Sequence, residues 1–355
     1  MNYTHDNIKY SIMPQEFSKD SSKEILQYAV GGLLYMPASN AKIADKIINN
    51  TYKYVKSIVL DLEDSLGDDL VGYGQRSIVG IIDKINEAVN SKIIDYDNIP
   101  LIFIRVREYG QMICISKTLG KNIKYITGFN IPKFSKSNCD EYIREFKEVI
   151  NLTREMYPDN TPEIYIMPII EDKETLYRQL RMENLLYVNN ALREISTNVL
   201  NIRVGGADFC SVFGVRRSIN DSIHDIGAVK SILNDIMNVF GKSYIVSGPV
   251  WEYFENKDNP NDTRWLNGLK AEIYKDRLNG FIGKTCIHPS QCGYVQESLI
   301  VSKEDYDDAV SILGMNTNTI GVKKGTAGNR MNEAKTHTNW AKKIIGLSII
   351  YGVIA

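Results

Sequence analysis

From Gly31 onward the chain alternates between short runs rich in β-branched and aromatic residues, each bounded by turn residues, and longer stretches whose apolar positions follow helical spacing. Eight such runs occur: Leu33 to Pro37, Ser57 to Glu63, Leu101 to Val106, Gly128 to Phe134, Ile164 to Ile170, Asn201 to Asp208, Tyr244 to Val250 and Gly280 to His288. Near-continuous apolar runs suit parallel strands covered on both sides, and the helical intervals suit right-handed crossovers. Eight strand–helix units predict an α/β fold, a closed (β/α)₈ barrel over residues 31–299. Residues 1–30 are polar and aromatic without a clear period, which predicts an arm and a first helix.

After residue 300 the pattern changes. A helix is expected to begin at Ser302-Lys303-Glu304-Asp305, with Ser302 as N-cap and Asp305 three residues on. A loop rich in Gly, Asn and Thr follows from Gly314 to Gly328, then a last helix from near Met331 to Tyr351, apolar at its end. Residues 300–355 are therefore expected to form a helical appendage, either a lid or an oligomerisation segment.

The length of 355 residues and the 43% hydrophobic content match one barrel with that appendage. Charges nearly cancel at a formal net of -1 and are spread along the chain, which argues against a nucleic-acid binder. The five cysteines, Cys114, Cys139, Cys210, Cys286 and Cys292, show no C-x-x-C spacing, so neither a disulfide framework nor a zinc site is indicated and a reducing cytoplasm is expected. The longest apolar stretch, around Ile344 to Ile354, is too short to span a bilayer.

In a barrel of this kind chemistry sits where strands end and βα loops begin. The expected tips are polar: Asp61, Glu63 and Asp64 after the second run, Arg105 and Arg107 after the third, Lys133 after the fourth, Glu171 and Asp172 after the fifth, and Asp208 after the sixth. Glu171 and Asp208, on neighbouring strands, can converge on a hard cation, and Mg²⁺ (or Mn²⁺) takes one or two carboxylates with water and substrate in its other positions. The alternative is that each carboxylate caps the following helix or pairs with a surface lysine. The small residues Gly205, Gly206 and Ala207 let backbone N–H groups approach a substrate carboxylate, or else serve a tight turn alone. Arg105 suits an electrophilic role toward a developing oxyanion, or a structural pairing with Glu63 or Asp64. The Asp61 to Asp64 cluster reads as support for Arg105 or for metal-bound water. In the eighth run, Gly283-Lys284-Thr285 lacks the upstream glycine spacing of a phosphate loop, and His288 reads as a structural hydrogen-bonding group.

With these residues in hand, the chain resembles the citrate lyase β-subunit and HpcH/HpaI-type aldolase group, which includes malyl-CoA and citramalyl-CoA lyases. The resemblance runs through Leu33-Leu34-Tyr35-Met36-Pro37, Asp61-Leu62-Glu63-Asp64-Ser65, Ile104-Arg105-Val106, Pro132-Lys133, Ile170-Glu171, Gly206-Ala207-Asp208, and Gly283-Lys284 with Ile287-His288-Pro289-Ser290-Gln291. Within that group it looks most similar to the C–C bond lyases of tellurite-resistance-type stress operons. The resemblance implies Mg²⁺ at Glu171 and Asp208, polarisation of a substrate oxygen by Arg105, and a catalytic setting for Asp61, Glu63, Asp64 and Lys133. It also implies a homo-oligomer, trimeric or hexameric, in which a C-terminal acid, here Glu333, reaches a neighbour's site. Two departures bear on a CoA thioester: Gly31-Gly32 replaces the arginine that precedes the family's first strand, and Arg107 stands where the family has Asn.

The expected activity is a metal-dependent lyase or aldolase acting on a small 2-oxo or 2-hydroxy carboxylic acid through an enolate, either free or as a CoA thioester. Rival expectations are a thioester hydrolase or phosphoryl-transfer enzyme of the pyruvate-binding barrel type, and a non-catalytic binding or scaffold barrel.

Overall fold

A computed structural model describes residues 1–315 and 321–354. Its centre is a parallel sheet of eight strands, β1 (Gly32–Pro37), β2 (Ser57–Asp61), β3 (Leu101–Arg105), β4 (Gly128–Ile131), β5 (Tyr165–Ile170), β6 (Asn201–Val204), β7 (Ile245–Val246) and β8 (Lys284–Cys286). β1 to β7 pair in sequence order, and β1 also pairs with β8. Backbone bonds from Ile282 N to Val246 O (2.9 Å), Gly248 N to Gly283 O (3.0 Å) and Thr285 N to Gly248 O (3.2 Å) join β7 to β8. The ring is thereby closed, as the eight apolar runs predict.

The observed strands are shorter than the runs. β2 stops at Asp61, β3 at Arg105 and β6 at Val204, and the polar tips lie in the loops beyond. At Gly205 and Gly206 the chain turns directly into α7 (Gly206–Val212), so Asp208 stands in the first turn of a helix and not at a strand end. Because β3 ends at Arg105, strand periodicity does not carry Arg107 to the same face. It turns outward, donating to Leu66 O (3.2 Å) and pairing with Asp68.

Side chains alternate along the strands as period two requires. Ile58 and Leu60, Ile102 and Ile104, and Ile166 and Ile170 pack against the surrounding helices. Val59, Leu101, Phe103, Tyr165 and Met167 face the barrel interior, in a cluster shared with the two ends of the chain. Helix α1 (Lys23–Ala29) lies under the strand starts: Lys23 Nζ donates to Ser196 O (2.5 Å), and Gln27 O accepts from Asn201 (2.9 Å).

Beneath it lie α11 (Lys303–Leu313) and α12 (Ala334–Tyr351). Tyr351 donates to Tyr28 O (2.7 Å) and stacks on Tyr3 at 4.9 Å. Gly31, at φ +52, is required here because a Cβ would sit 2.5 Å from the Tyr351 hydroxyl. Val353–Ile354 is the middle strand between Tyr10–Ile12 and Val301–Ser302.

The ends of the chain thus form a floor, and the segment expected as a lid or oligomerisation segment packs in the single chain at the end of the barrel opposite the mouth. Ser302 does cap α11, accepting from Asp305 N (3.1 Å). The expected loop from Gly314 to Gly328 contains a strand, Val322–Lys324, paired with Met331–Glu333, and α12 starts three residues later than expected. Residues 316–320 of that loop lie outside the described residues.

Candidate active site

Register places Asp61 of β2 beside Arg105 of β3, both facing inward. The pair is bidentate: Arg105 Nε donates to Asp61 Oδ1 (2.6 Å) and Nη2 to Oδ2 (2.8 Å). Its Nη1 meets Glu63 Oε2 (2.8 Å) and Asp64 Oδ2 (2.9 Å). Asp61 also accepts from Glu63 N (3.0 Å) and Ser65 N (3.2 Å), which ties the loop after β2 to the same carboxylate. Burial opposes ionisation of Asp61, but the Arg105 contacts outweigh it and hold the carboxyl below its ordinary range. Arg105 is likewise held fully charged, burial notwithstanding, by Asp61 and its other acidic neighbours. The arginine is therefore paired with the acidic cluster and at the same time lines the cavity at the mouth.

Lys133 follows β4 with φ +48, a left-handed conformation that a non-glycine residue adopts at a cost of about 1 kcal/mol. The turn sends its backbone N–H to Glu171 Oε1 (3.1 Å), while its ammonium pairs with Glu63. Glu171 immediately follows β5 and is 7% exposed. Burial, then the nearby charge of Asp208, pushes its carboxyl up to about 8. Asp208 is also raised, by burial and by Asp64.

The two carboxylates meet. A Cβ built on Gly205 would lie 2.1 Å from Glu171 Oε2 and 3.0 Å from Asp208 Oδ2, so both oxygens border one small volume that only a glycine leaves open. Neither forms an ion pair with Lys or Arg among the described residues. Among those residues there is also no group of three or more His, Cys, Asp or Glu arranged to hold an ion. Two carboxylates are nonetheless the donor set that suits Mg²⁺, which completes its octahedron with water and substrate oxygen. The residues fit a hard divalent cation: two oxygen donors, mutually repelling and without a cationic partner, face one gap.

The residues expected to bind substrate divide. The Gly205 N–H is committed to Ile170 O (3.1 Å), so its use is clearance for Glu171. The N–H groups of Gly206 and Ala207 open the first turn of α7, where a helix leaves donors without intrahelical partners. All three residues line a cavity of about 420 Å³ together with Arg105, Glu171 and Asp208.

Other expected residues lie elsewhere. Asp172 caps the following turn, accepting from Glu174 N (2.8 Å) and from Thr175 Oγ1 (2.7 Å). His288 accepts from Ser290 N as the N-cap of α10 (Pro289–Glu297) and stacks on Phe254 at 4.7 Å, the structural role expected for it. Lys284 turns outward to Asp276 (2.6 Å) of α9 (Arg264–Leu278). Glu333 stands at the start of α12, its N–H donating to His337 Nδ1 (3.0 Å), and does not line the mouth cavity of its own chain.

A polar layer that was not among the expected site residues lies just inside the strand tips. Tyr35, Asn130, Arg203, Ser247 and Thr285 are joined by hydrogen bonds within the barrel: Asn130 to Tyr35 (2.6 Å), Arg203 Nη1 to Ser247 (2.8 Å) and Arg203 Nη2 to Thr285 (2.7 Å). The signal was an arginine inside the apolar run Asn201-Ile202-Arg203-Val204, where the period of two turns it inward between outward Ile202 and Val204.

A closed parallel barrel with its polar cluster at the strand ends defines a TIM-type α/β barrel whose mouth is the candidate active site. The chain belongs to the family described as C-C bond lyase of the TIM-barrel fold, which matches residues 24–353. It is similar to the structure of the protein CitE from Mycobacterium tuberculosis in complex with magnesium, acetoacetate and coenzyme A. That likeness has 14% identity and a TM-score of 0.53, covering 90% of this chain and 97% of that one. RipC from Yersinia pestis is similar at 13% identity and a TM-score of 0.48, covering 77% of this chain and 95% of that one. The citrate lyase beta subunit of M. tuberculosis complexed with oxaloacetate and magnesium stands at 15% and 0.47, with 77% and 98% covered. The likeness to CitE, at 14% identity, supports the fold alone, and the lyase class rests on the family. No curated protein matches the chain. Among the described residues no helix is long and apolar enough to cross a membrane.

Proposed function

We propose that the protein is a lyase that depends on a divalent metal and makes or breaks a carbon–carbon bond beside the carboxylate of a 2-oxo or 2-hydroxy acid. The observation that carries this reading is the meeting of Glu171 and Asp208 across the gap left by Gly205, with no cation of the chain between them. Mg²⁺ held there would supply Lewis acidity and a template for the acid's two adjacent oxygens.

The chain's own groups have separable tasks. The N–H groups of Gly206 and Ala207 orient the substrate carboxylate. Arg105, fixed by Asp61, Glu63 and Asp64, has one Nη2 hydrogen uncommitted and offers it to the oxygen on which charge develops. Glu63 is the cluster's acid whose affinity for a proton is raised, by burial and by Asp64, and it holds or moves the proton at its carboxylate while Lys133 balances its charge. Glu333 enters this scheme only from a second copy of the chain, in a homo-oligomer.

The test is product analysis by NMR with a panel of 2-oxo and 2-hydroxy acids and their CoA thioesters. Metal-dependent cleavage or condensation is expected, and it disappears in Glu171→Gln and in Asp208→Asn. Activity surviving either change removes the metal assignment, and thioester hydrolysis or phosphoryl transfer as the metal-dependent reaction replaces the lyase reading.

A further inference from the structure

Arg203 is 1% exposed and faces the cavity from inside β6. Of the five donors a guanidinium carries, the Ser247 and Thr285 hydroxyls take two, the Tyr35 hydroxyl lies beside it, and Nε has no partner. No carboxylate is within ion-pair reach of it among the described residues. Every other buried arginine of the mouth and its surroundings has one: Arg105 has Asp61, Arg217 has Glu272, and Arg181 has Asp235. A buried charge without a counter-ion is strongly unfavourable, and neutral hydroxyls offset only part of that.

The position of Arg203 says which anion would reach it. Arg203 is in register with Ile169, two residues before Glu171 on the adjacent strand, so it lies one inward-facing level below the Glu171–Asp208 gap, about 7 Å along the strand. Arg203, Glu171 and Asp208 line one cavity, so an acid held at the gap by one end has this level within reach of its other end.

We propose that Arg203 is the anchor for a second carboxylate of the substrate, so that the acid taken at the mouth is a short free diacid. This rests on the reading of the mouth as a site for a 2-oxo or 2-hydroxy acid and specifies its substrate class. A thioester carbonyl in the same place would leave the guanidinium without a counter-charge. Arg203 is thus a residue that selects among acids, separate from those that act on the bond.

Malate and lactate share the 2-hydroxy acid end and differ in the second carboxylate, so calorimetric binding of the two, with and without Mg²⁺, isolates the anchor. The wild type is expected to bind malate roughly 10- to 100-fold more tightly than lactate, the range for a charge-assisted pair in a desolvated site. Arg203→Met abolishes that preference and leaves lactate binding unchanged, while Arg203→Lys keeps part of it. Equal binding of the two acids by the wild type, a preference that survives in Arg203→Met, or no binding of either acid overturns the proposal. A preference that is lost in Arg203→Met but is indifferent to Mg²⁺ and to Glu171→Gln upholds the anchor and instead refutes the metal reading of the mouth. Should Arg203→Met fail to fold, Thr285→Val, which withdraws one hydroxyl from the guanidinium, reports in its place: a reduced preference supports the anchor and an unchanged one overturns it.

Discussion

Glu171 makes metal binding a proton-linked event whose size follows from its surroundings. Burial and Asp208 move its carboxyl from the ordinary 4.5 to about 8 in the folded chain. Folding therefore tightens the hold on this proton. The resulting stability is fully present below about pH 4.5 and is lost as pH rises through about 8. A divalent cation needs the ionised form and must displace the proton at any lower pH. At pH 6, two units below, about 1% of molecules are ionised at this position, so apparent Mg²⁺ affinity should be roughly 100-fold weaker than above pH 8, about 2.7 kcal/mol. Titration calorimetry in buffers of different ionisation enthalpy should count close to one proton released per ion at pH 6 to 7, falling to none above pH 9. Thermal unfolding of the metal-free protein should show a decline between pH 6 and 8.5 that Glu171→Gln flattens, which assigns the decline to Glu171. Affinity that is flat from pH 6 to 8, with no proton release, refutes the reasoning.

Two further outcomes follow from the same geometry. Gly205→Ala brings a Cβ to 2.1 Å from Glu171 Oε2 and 2.4 Å from Glu171 Cβ; the φ of -86 is open to alanine, so the conflict is with Glu171, whose position must shift locally. Circular dichroism should be unchanged while Mg²⁺-dependent thermal stabilisation is lost; retention of that stabilisation would show that Glu171 moves aside at no expense. Asp61→Asn removes the bidentate partner of a buried arginine and should destabilise by about 3 kcal/mol in denaturant unfolding, whereas Asp64→Asn, at a half-exposed carboxylate, should change stability by less than about 1 kcal/mol.

Strand number, order and closure were legible because the β-branched runs between turn residues have no other economical arrangement. Counting in twos along β2 and β3 puts Asp61 and Arg105 on the same side as the interior Val59 and Phe103. That count fails beyond a strand's end, which is why Arg107 departs to Asp68 and Asp208 arrives from a helix. The paired glycines before Asp208 marked the break, but they read equally as an anion cradle, and only the distance from a notional Cβ to Glu171 separates the two uses. Polar Val322–Lys324 carried no alternation with which to announce a hairpin. The apolar end of α12 called for a buried partner without saying at which end of the barrel, and the interior faces of Val59, Phe103 and Met167 decided that. Arg203 was visible as a charge inside an apolar run, but its lack of a counter-ion belongs to the three-dimensional arrangement.

The floor built from both ends of the chain sets an order of events in synthesis. Val353 follows the last barrel strand by roughly 65 residues, and at about 5–20 residues per second a ribosome needs several seconds to traverse that interval. For that time all eight staves have emerged while the lower rings of Val59, Phe103 and Met167 remain uncapped. A nascent chain at this stage offers oily surface to chaperones and to its neighbours on the same polysome.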